Sequence, residues 1–121
     1  MLNRRQKGNL GEEVAVEFLK QHGLRVQAQN VRCPLGEIDL VARDGKTLVF
    51  IEVKSRFTSR YGVPQDLVSR SKQRRLTLLA RWYLKRHRLE NQPARFDVIA
   101  ISWHDSKPEI TWIPNAFEAY E

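Results

Sequence analysis

Three features of this 121-residue chain predict an α/β fold of order α-β-β-β-α-β with a terminal strand appended. An apolar arc at helical spacing lies within residues 10–19. An apparent β-hairpin with apolar residues on both faces fills residues 36–54. An acid-free helical stretch, residues 67–89, leads into a strand that is apolar almost throughout.

The elements follow in order. Asn3, with Gln6 three residues later, resembles a capping box, and Gly23 closes the first helix. In that helix Leu10, Val14, Ala15, Val16, Phe18 and Leu19 share one arc, and Glu13, Glu17 and Lys20 lie opposite. Leu24 to Val31 alternates apolar and polar residues and reads as a half-exposed edge strand. Asp44-Gly45 is the expected turn of the hairpin, because both residues tolerate the positive φ of a type I′ turn. That turn sets Asp39 opposite Phe50 and Glu37 opposite Glu52. It puts Ile38, Leu40, Ala42, Val49, Ile51 and Val53 on one face, and Glu37, Asp39, Val41, Leu48, Phe50, Glu52 and Lys54 on the other. Apolar residues on both faces imply a central sheet covered on both sides. Ser55 to Asp66 reads as a loop, and Asp66 to Leu89 as a second helix with Leu76, Leu79, Ala80 and Tyr83 at core spacing. Leu78 and Trp82 form an adjoining stripe. Phe96 to Trp103 is the fourth strand, and a Lys107-Pro108 turn leads to a short fifth, Glu109 to Ile113.

Composition bounds the function. The length suits one domain over residues 1–121, with no linker or internal repeat. The first residues lack the apolar core of a signal peptide, and the longest aliphatic or aromatic run, Leu48 to Ile51, is too short to span a bilayer, so a cytoplasmic protein is expected. Cys33 is the lone cysteine and reads as an inert thiol. The net charge is +7, from 21 basic and 14 acidic residues, and it is unevenly spread. No acidic residue falls between Leu67 and Leu89, whereas Arg70, Lys72, Arg74, Arg75, Arg81, Lys85, Arg86 and Arg88 all do. A solvated helix face would explain a charge run. Total exclusion of acids favours a nucleic-acid partner, since clustered cations displace the counterions condensed on a polyanion. A membrane surface fits poorly, because the apolar residues here are needed for the core.

The chemistry centres on Asp39, Glu52 and Lys54. In the expected register Asp39 and Glu52 are diagonal neighbours on one face, roughly 7–8 Å apart at the backbone, a span two carboxylates can close on one cation. Mg²⁺ binds through one or two carboxylates and keeps several waters, so the pair suffices, with the Val53 carbonyl as a further ligand. Lys54, two residues beyond Glu52 and on the same face, is placed to orient an attacking water and offset developing charge. An exposed cross-strand ion pair is the plainer explanation, but Phe50, Ile51 and Val53 mark the strand as central. Glu12 is an anomaly, a carboxylate within the apolar arc of the first helix: it faces a metal or cleft, or it pairs with an arginine at the core edge. Lys72 lies one turn before Leu76 on the inward stripe and points toward the cleft. Arg56 and Arg60, interleaved with Phe57 and Tyr61, follow the catalytic strand where a nucleic-acid backbone would pass. With Lys72, Arg74 and Arg75 they form the expected nucleic-acid surface. His22, His87 and His104 lack zinc spacing, and no nucleophile elbow, Walker loop or dinucleotide fingerprint occurs.

Asp39, Glu52-Val53-Lys54 and Glu12 resemble the PD-(D/E)xK nuclease superfamily, and the chain is most similar to the bacterial YraN family of predicted endonucleases, itself similar to archaeal Holliday junction resolvases. The resemblance covers nearly the whole chain: Gly8-Asn9-Leu10-Gly11-Glu12, Asn30-Val31-Arg32, Gly36 to Ala42, Phe50 to Arg56, Tyr61-Gly62-Val63-Pro64 and Lys72. Ile38 stands where the superfamily's name-giving proline would be, a position that shapes the strand and binds no metal. The resemblance implies a restriction-endonuclease-like fold, a central mixed sheet flanked by helices. It implies Asp39 and Glu52 as ligands of Mg²⁺, for which Mn²⁺ substitutes, Lys54 as the catalytic lysine and Glu12 as an additional acidic group near the metal. DNA, including branched or junction DNA, is the implied substrate, and a homodimer the implied assembly. Two other readings stand beside this one: a non-catalytic nucleic-acid-binding module in DNA processing, and a nuclease acting on RNA, since backbone electrostatics do not distinguish the sugars.

Overall fold

Helix α1 (Arg4–Gln21) begins with a reciprocal cap. The Asn3 side chain accepts the Gln6 N–H at 2.8 Å and the Gln6 side chain accepts the Asn3 N–H at 2.9 Å, which gives partners to donors that no helical turn can satisfy. At the other end Gly23 takes φ +86° and the Leu24 N–H reaches the Leu19 carbonyl at 3.0 Å, so glycine carries the left-handed residue that stops the helix. The computed structural model describes residues 3–56 and 68–119.

The strands are β1 (Arg25–Cys33), β2 (Gly36–Asp44), β3 (Thr47–Arg56), β4 (Ala94–His104) and β5 (Lys107–Phe117), and α2 (Arg70–Arg86) links β3 to β4. They form one sheet in sequence order, antiparallel except for the parallel β3–β4 pair. Parallel neighbours need a crossover, and α2 supplies it. This is a restriction-endonuclease-like α/β fold, with a mixed sheet flanked by helices. Leu40, Ala42, Val49, Ile51, Ile99 and Ile101 pack under α1, and Val41, Leu48, Phe50, Phe96 and Val98 pack under α2. Cover on both faces explains why the inner strands are apolar throughout while β1, an edge strand, alternates.

Three expectations change. The hairpin closes on Asp44 opposite Thr47, so Gly45 and Lys46 form its turn and Val41, not Asp39, faces Phe50. Gly45 alone there takes a positive φ, +61°, so one glycine meets the turn's demand and Asp44 stays in the strand. The shift moves the pairing by two residues and preserves most faces. Helix α2 is shorter than Asp66 to Leu89: Ser69 caps it, its Oγ accepting the Lys72 N–H at 3.2 Å, and Arg88 at φ +56° lies beyond its end. Thr77 is buried within it, because its hydroxyl donates to the Gln73 carbonyl at 2.8 Å and so carries no unmet polar group. The β4–β5 turn is Asp105-Ser106, both at positive φ, so Lys107 and Pro108 belong to an 11-residue β5.

Asp97, in the apolar strand β4, has a structural role. Its Oδ1 accepts Arg95 Nε at 3.0 Å and the Asn115 N–H at 2.9 Å, and its Oδ2 accepts Arg95 Nη2 at 3.2 Å and Trp112 Nε1 at 3.0 Å. Arg95 also reaches Asp44 at 2.8 Å. This network ties β5 to β4 where their register shifts between Phe96 and Val98. Asp97→Ala should destabilise the protein by about 2–4 kcal/mol, since it removes the buried acceptor shared by four N–H groups, and lower the melting temperature by on the order of 10 °C. Thermal denaturation checks this, and a shift of only a degree or two would mean the network relaxes around the loss.

Candidate active site

Side chains in a strand alternate between faces, so Ile38 and Leu40 should share one. They do not. Ile38 packs in the α2 core and Leu40 in the α1 core. The reason they part lies at the residue between them. The pairs Gln29↔Leu40 and Val31↔Ile38 set Asn30 opposite Asp39, and Asn30 takes φ +51°, a conformation asparagine tolerates better than most residues. With β2 irregular at this point, Asp39 turns toward β3, and its Oδ2 accepts the Val53 N–H at 2.9 Å, where a regular hairpin would offer a backbone carbonyl. The β2–β3 pairs run only as far as Leu40↔Ile51.

Glu52 follows Phe50 on the α2 face of β3 and is 6% exposed. Lys72, in the first turn of α2, places its Nζ 2.9 Å from Glu52 Oε1, and Lys54 Nζ lies 3.9 Å from the same oxygen. Two ammonium groups thus converge on one buried carboxylate oxygen.

Glu12 comes from α1. A Cβ on Gly11 would stand 2.9 Å from the Ser55 Cβ, so only glycine lets α1 come this close to the end of β3. Ser55 is held in turn by Trp103 Nε1, which donates to its Oγ at 2.7 Å. The next residue, Glu12, is carried toward Asn30, whose side chain hydrogen-bonds its carboxylate, and into the field of Glu37 and Glu52. Its Oε1 is buried without a hydrogen-bond partner among the described residues. Among the described residues no arginine bridges Glu12.

The titration behaviour follows from burial and crowding. Burial raises the Asp39 pKa, and the charges of Glu52 and Glu12 add to it; the Val53 N–H and Lys72 oppose, and the result is about 7. Burial also raises that of Glu12, against its bond to Asn30, with Glu37 and Glu52 adding to the rise. Burial and the neighbouring Lys72 lower the Lys54 ammonium, with Glu52 opposing. Burial pulls on Lys72 too, but its hydrogen bond and ion pair with Glu52 win, so its pKa is raised. Asp39 gives a stability prediction. Its folded value of about 7 exceeds the ordinary 3.8, so between these the folded chain holds a proton that the unfolded chain releases. Without divalent cations, stability should therefore fall as pH rises from about 4 to 7, and Asp39→Asn should flatten that fall. Melting curves in chelator at several pH values check this; equal slopes in the two proteins would deny Asp39 its shift.

Among the described residues, no three acidic, histidine or cysteine side chains form a ready-made metal cage. The donors present nonetheless suit a hard divalent cation, which needs only one or two carboxylates and keeps its waters. Asp39 and Glu52 supply hard oxygen donors, and the orphaned Glu12 Oε1 is a buried acceptor that a bound water or cation would satisfy. Mutual repulsion among these carboxylates is what a cation relieves.

Arg56 is exposed at the end of β3, and Arg74 and Arg75 are exposed on α2 with Arg70, Arg81, Lys85 and Arg86. Arg75 lies over Gly36, close to the β1–β2 turn. Arg60 and the Tyr61 to Pro64 stretch lie outside the described residues. Sequence reasoning gave no role to Asn30, and a polar residue poorly suited to strands in the middle of β1 was the available signal. No described helix is long and apolar enough to cross a membrane.

Residues 11–101 match the family described as "Uncharacterised protein family UPF0102". A UPF0102 protein of Syntrophus aciditrophicus is 45% identical over 118 residues, 98% of this chain and 93% of its own length. One of Geobacter metallireducens is 46% identical over 117 residues, 97% of this chain and 96% of its own length. Among solved structures, SfsA of Pyrococcus furiosus in complex with Ca²⁺ aligns at TM-score 0.41 and 16% identity, covering 94% of this chain and 64% of that one.

Proposed function

This chain belongs to the UPF0102 family, and from the geometry of its cleft we propose that it is a divalent-metal-dependent nuclease that hydrolyses phosphodiester bonds in DNA. One observation carries the reading: Asp39, Glu52 and the orphaned Glu12 lie in one another's field at the end of a central strand, three carboxylates with only the ammonium groups of Lys54 and Lys72 beside them. A fold under no demand to keep such a cluster is better served by apolar residues.

Asp39 and Glu52 would hold Mg²⁺ or Mn²⁺, and Glu12 would accept from a water on it. When bound, the cation neutralises a non-bridging phosphate oxygen and lowers the pKa of a water. Lys54 would orient the attacking water and offset the negative charge that develops on the phosphate oxygens. The exposed basic residues of α2, with Arg56 at the end of β3, track the phosphate backbone, and branched DNA, the substrate the resemblance implies, is one of the shapes to test. A homodimer presenting two such sites is part of the same proposal, and light scattering tests it.

The decisive experiment is cleavage of a panel of branched, single-stranded and duplex DNA and RNA in Mg²⁺, Mn²⁺ and chelator, run beside Asp39→Asn. Metal-dependent cutting by the wild type alone is the expected result. Binding without cutting under every condition would make the chain a non-catalytic nucleic-acid-binding module, and cutting confined to RNA would change the substrate class.

A further inference from the structure

Lys72 does more than line a nucleic-acid surface. Its Nζ, 2.9 Å from Glu52 Oε1, makes the tightest ion pair of the cleft, on a carboxylate proposed as a metal ligand. Lys54 Nζ stands 3.9 Å from the same atom. Three carboxylates, Glu12, Asp39 and Glu52, thus face two ammonium groups. While no divalent cation is bound, the two lysines are the charges that offset those carboxylates. A dication added to the same cluster brings three cationic centres around one carboxylate, so one ammonium gains by leaving.

The two lysines are exposed to a similar degree and differ in what surrounds them. Lys54 lies on β3 beyond its last pair with β2, beside its parallel neighbour Ala100 on β4, with its side chain 30% exposed. Lys72 sits in the first turn of α2, its side chain 36% exposed, on a four-carbon stem that reaches both Glu52 and solvent. The helix around it presents Arg70, Arg74 and Arg75 outward, so a phosphate backbone drawn to that face passes within reach of a released Lys72.

We infer that Lys72 is an exchangeable counter-ion: it neutralises Glu52 while the metal site is empty, and transfers to a backbone phosphate when a divalent cation takes its place. This rests on the metal site proposed above and adds to it a coupling between cation binding and substrate binding. The cation then brings one protein charge to the nucleic acid besides its own, and metal-free protein holds DNA with one phosphate contact fewer.

The test measures affinity for a short DNA duplex across a range of monovalent salt, in chelator and in Ca²⁺, for wild type, Lys72→Met and Asp39→Asn. Melting curves without DNA report whether Ca²⁺ binds. Each phosphate contact contributes about 0.9 to the slope of log K against log salt, so Ca²⁺ should steepen the wild-type slope by about one unit more than it steepens that of Lys72→Met. Any direct bridge from cation to phosphate is common to both proteins and cancels. Lys72→Met should also bind Ca²⁺ more tightly in the absence of DNA, having lost a competing charge. If Ca²⁺ stabilises the wild type and not Asp39→Asn, yet steepens both slopes equally, the metal site stands and the exchange of Lys72 is overturned. If Ca²⁺ stabilises neither wild type nor Asp39→Asn, the metal site and the exchange fall together. Lys72→Gln, with a polar head of similar reach, gives the same comparison should the methionine variant fail to fold.

Discussion

Asp39→Asn and Glu52→Gln should each remove divalent-cation binding in isothermal titration and lower cleavage about a thousandfold or more, while affinity for nucleic acid in chelator stays within a few-fold of wild type. The size follows from the cation's part in the reaction: neutralising a phosphate oxygen is worth several kcal/mol, and each 1.36 kcal/mol is about tenfold in rate. The separation of binding from cutting follows from the fold. Glu52 is buried and Asp39 half-buried where the pairing of β2 and β3 ends, whereas Arg56, Arg74 and Arg75 are exposed. Asp39→Asn should also raise the melting temperature in chelator, because it removes a carboxyl that burial first, and the charge of Glu52 second, lift to about 7. Wild-type cleavage by both variants would mean that the reactive centre lies elsewhere. A loss of cleavage together with a lower melting temperature would point to damage to the fold.

Lys54→Ala should keep the cation and lose two to three orders of magnitude in rate, roughly the effect of deleting one preorganised donor to a transition-state oxygen. Lys54→Arg should recover little, because a planar guanidinium cannot take the place of a compact ammonium on the central strand. A pH profile adds a signature. Burial and the Lys72 charge hold the Lys54 pKa below the ordinary lysine range, so if the protonated form acts, the rate should begin to fall on the alkaline side below that range. The limb should vanish in Lys54→Ala. Near-normal turnover by Lys54→Ala would leave the charge on the phosphate to Lys72 or the arginines.

The sequence by itself determined the elements and most of their faces, because those depend on short periods and local chemistry. The Asn3–Gln6 box and Gly23 delimit α1 through bonds within a few residues of each end. The spacing of Leu76, Leu79, Ala80 and Tyr83 gives the buried side of α2, and the double-sided apolar pattern of β2 and β3 announces a sheet covered above and below. Glu52 and Lys54, two apart on one strand, needed only the period of two to be placed on a common face. Tertiary structure alone decided what depends on partners distant in the chain. The turn register was settled by which residue had to take positive φ, and at Gly45 a single residue sufficed. Period-two reasoning assumed a regular β2 and so misplaced Ile38; the irregularity opposite Asn30 arises from pairing with β1, which no local pattern of β2 encodes. The close approach of Gly11 to Ser55, which brings Glu12 to the cleft, joins residues 44 positions apart in sequence. Charge composition marked α2 as basic, but only the packing of its first turn over β3 brings the Lys72 ammonium to Glu52 and leaves the Arg74 and Arg75 side chains in solvent.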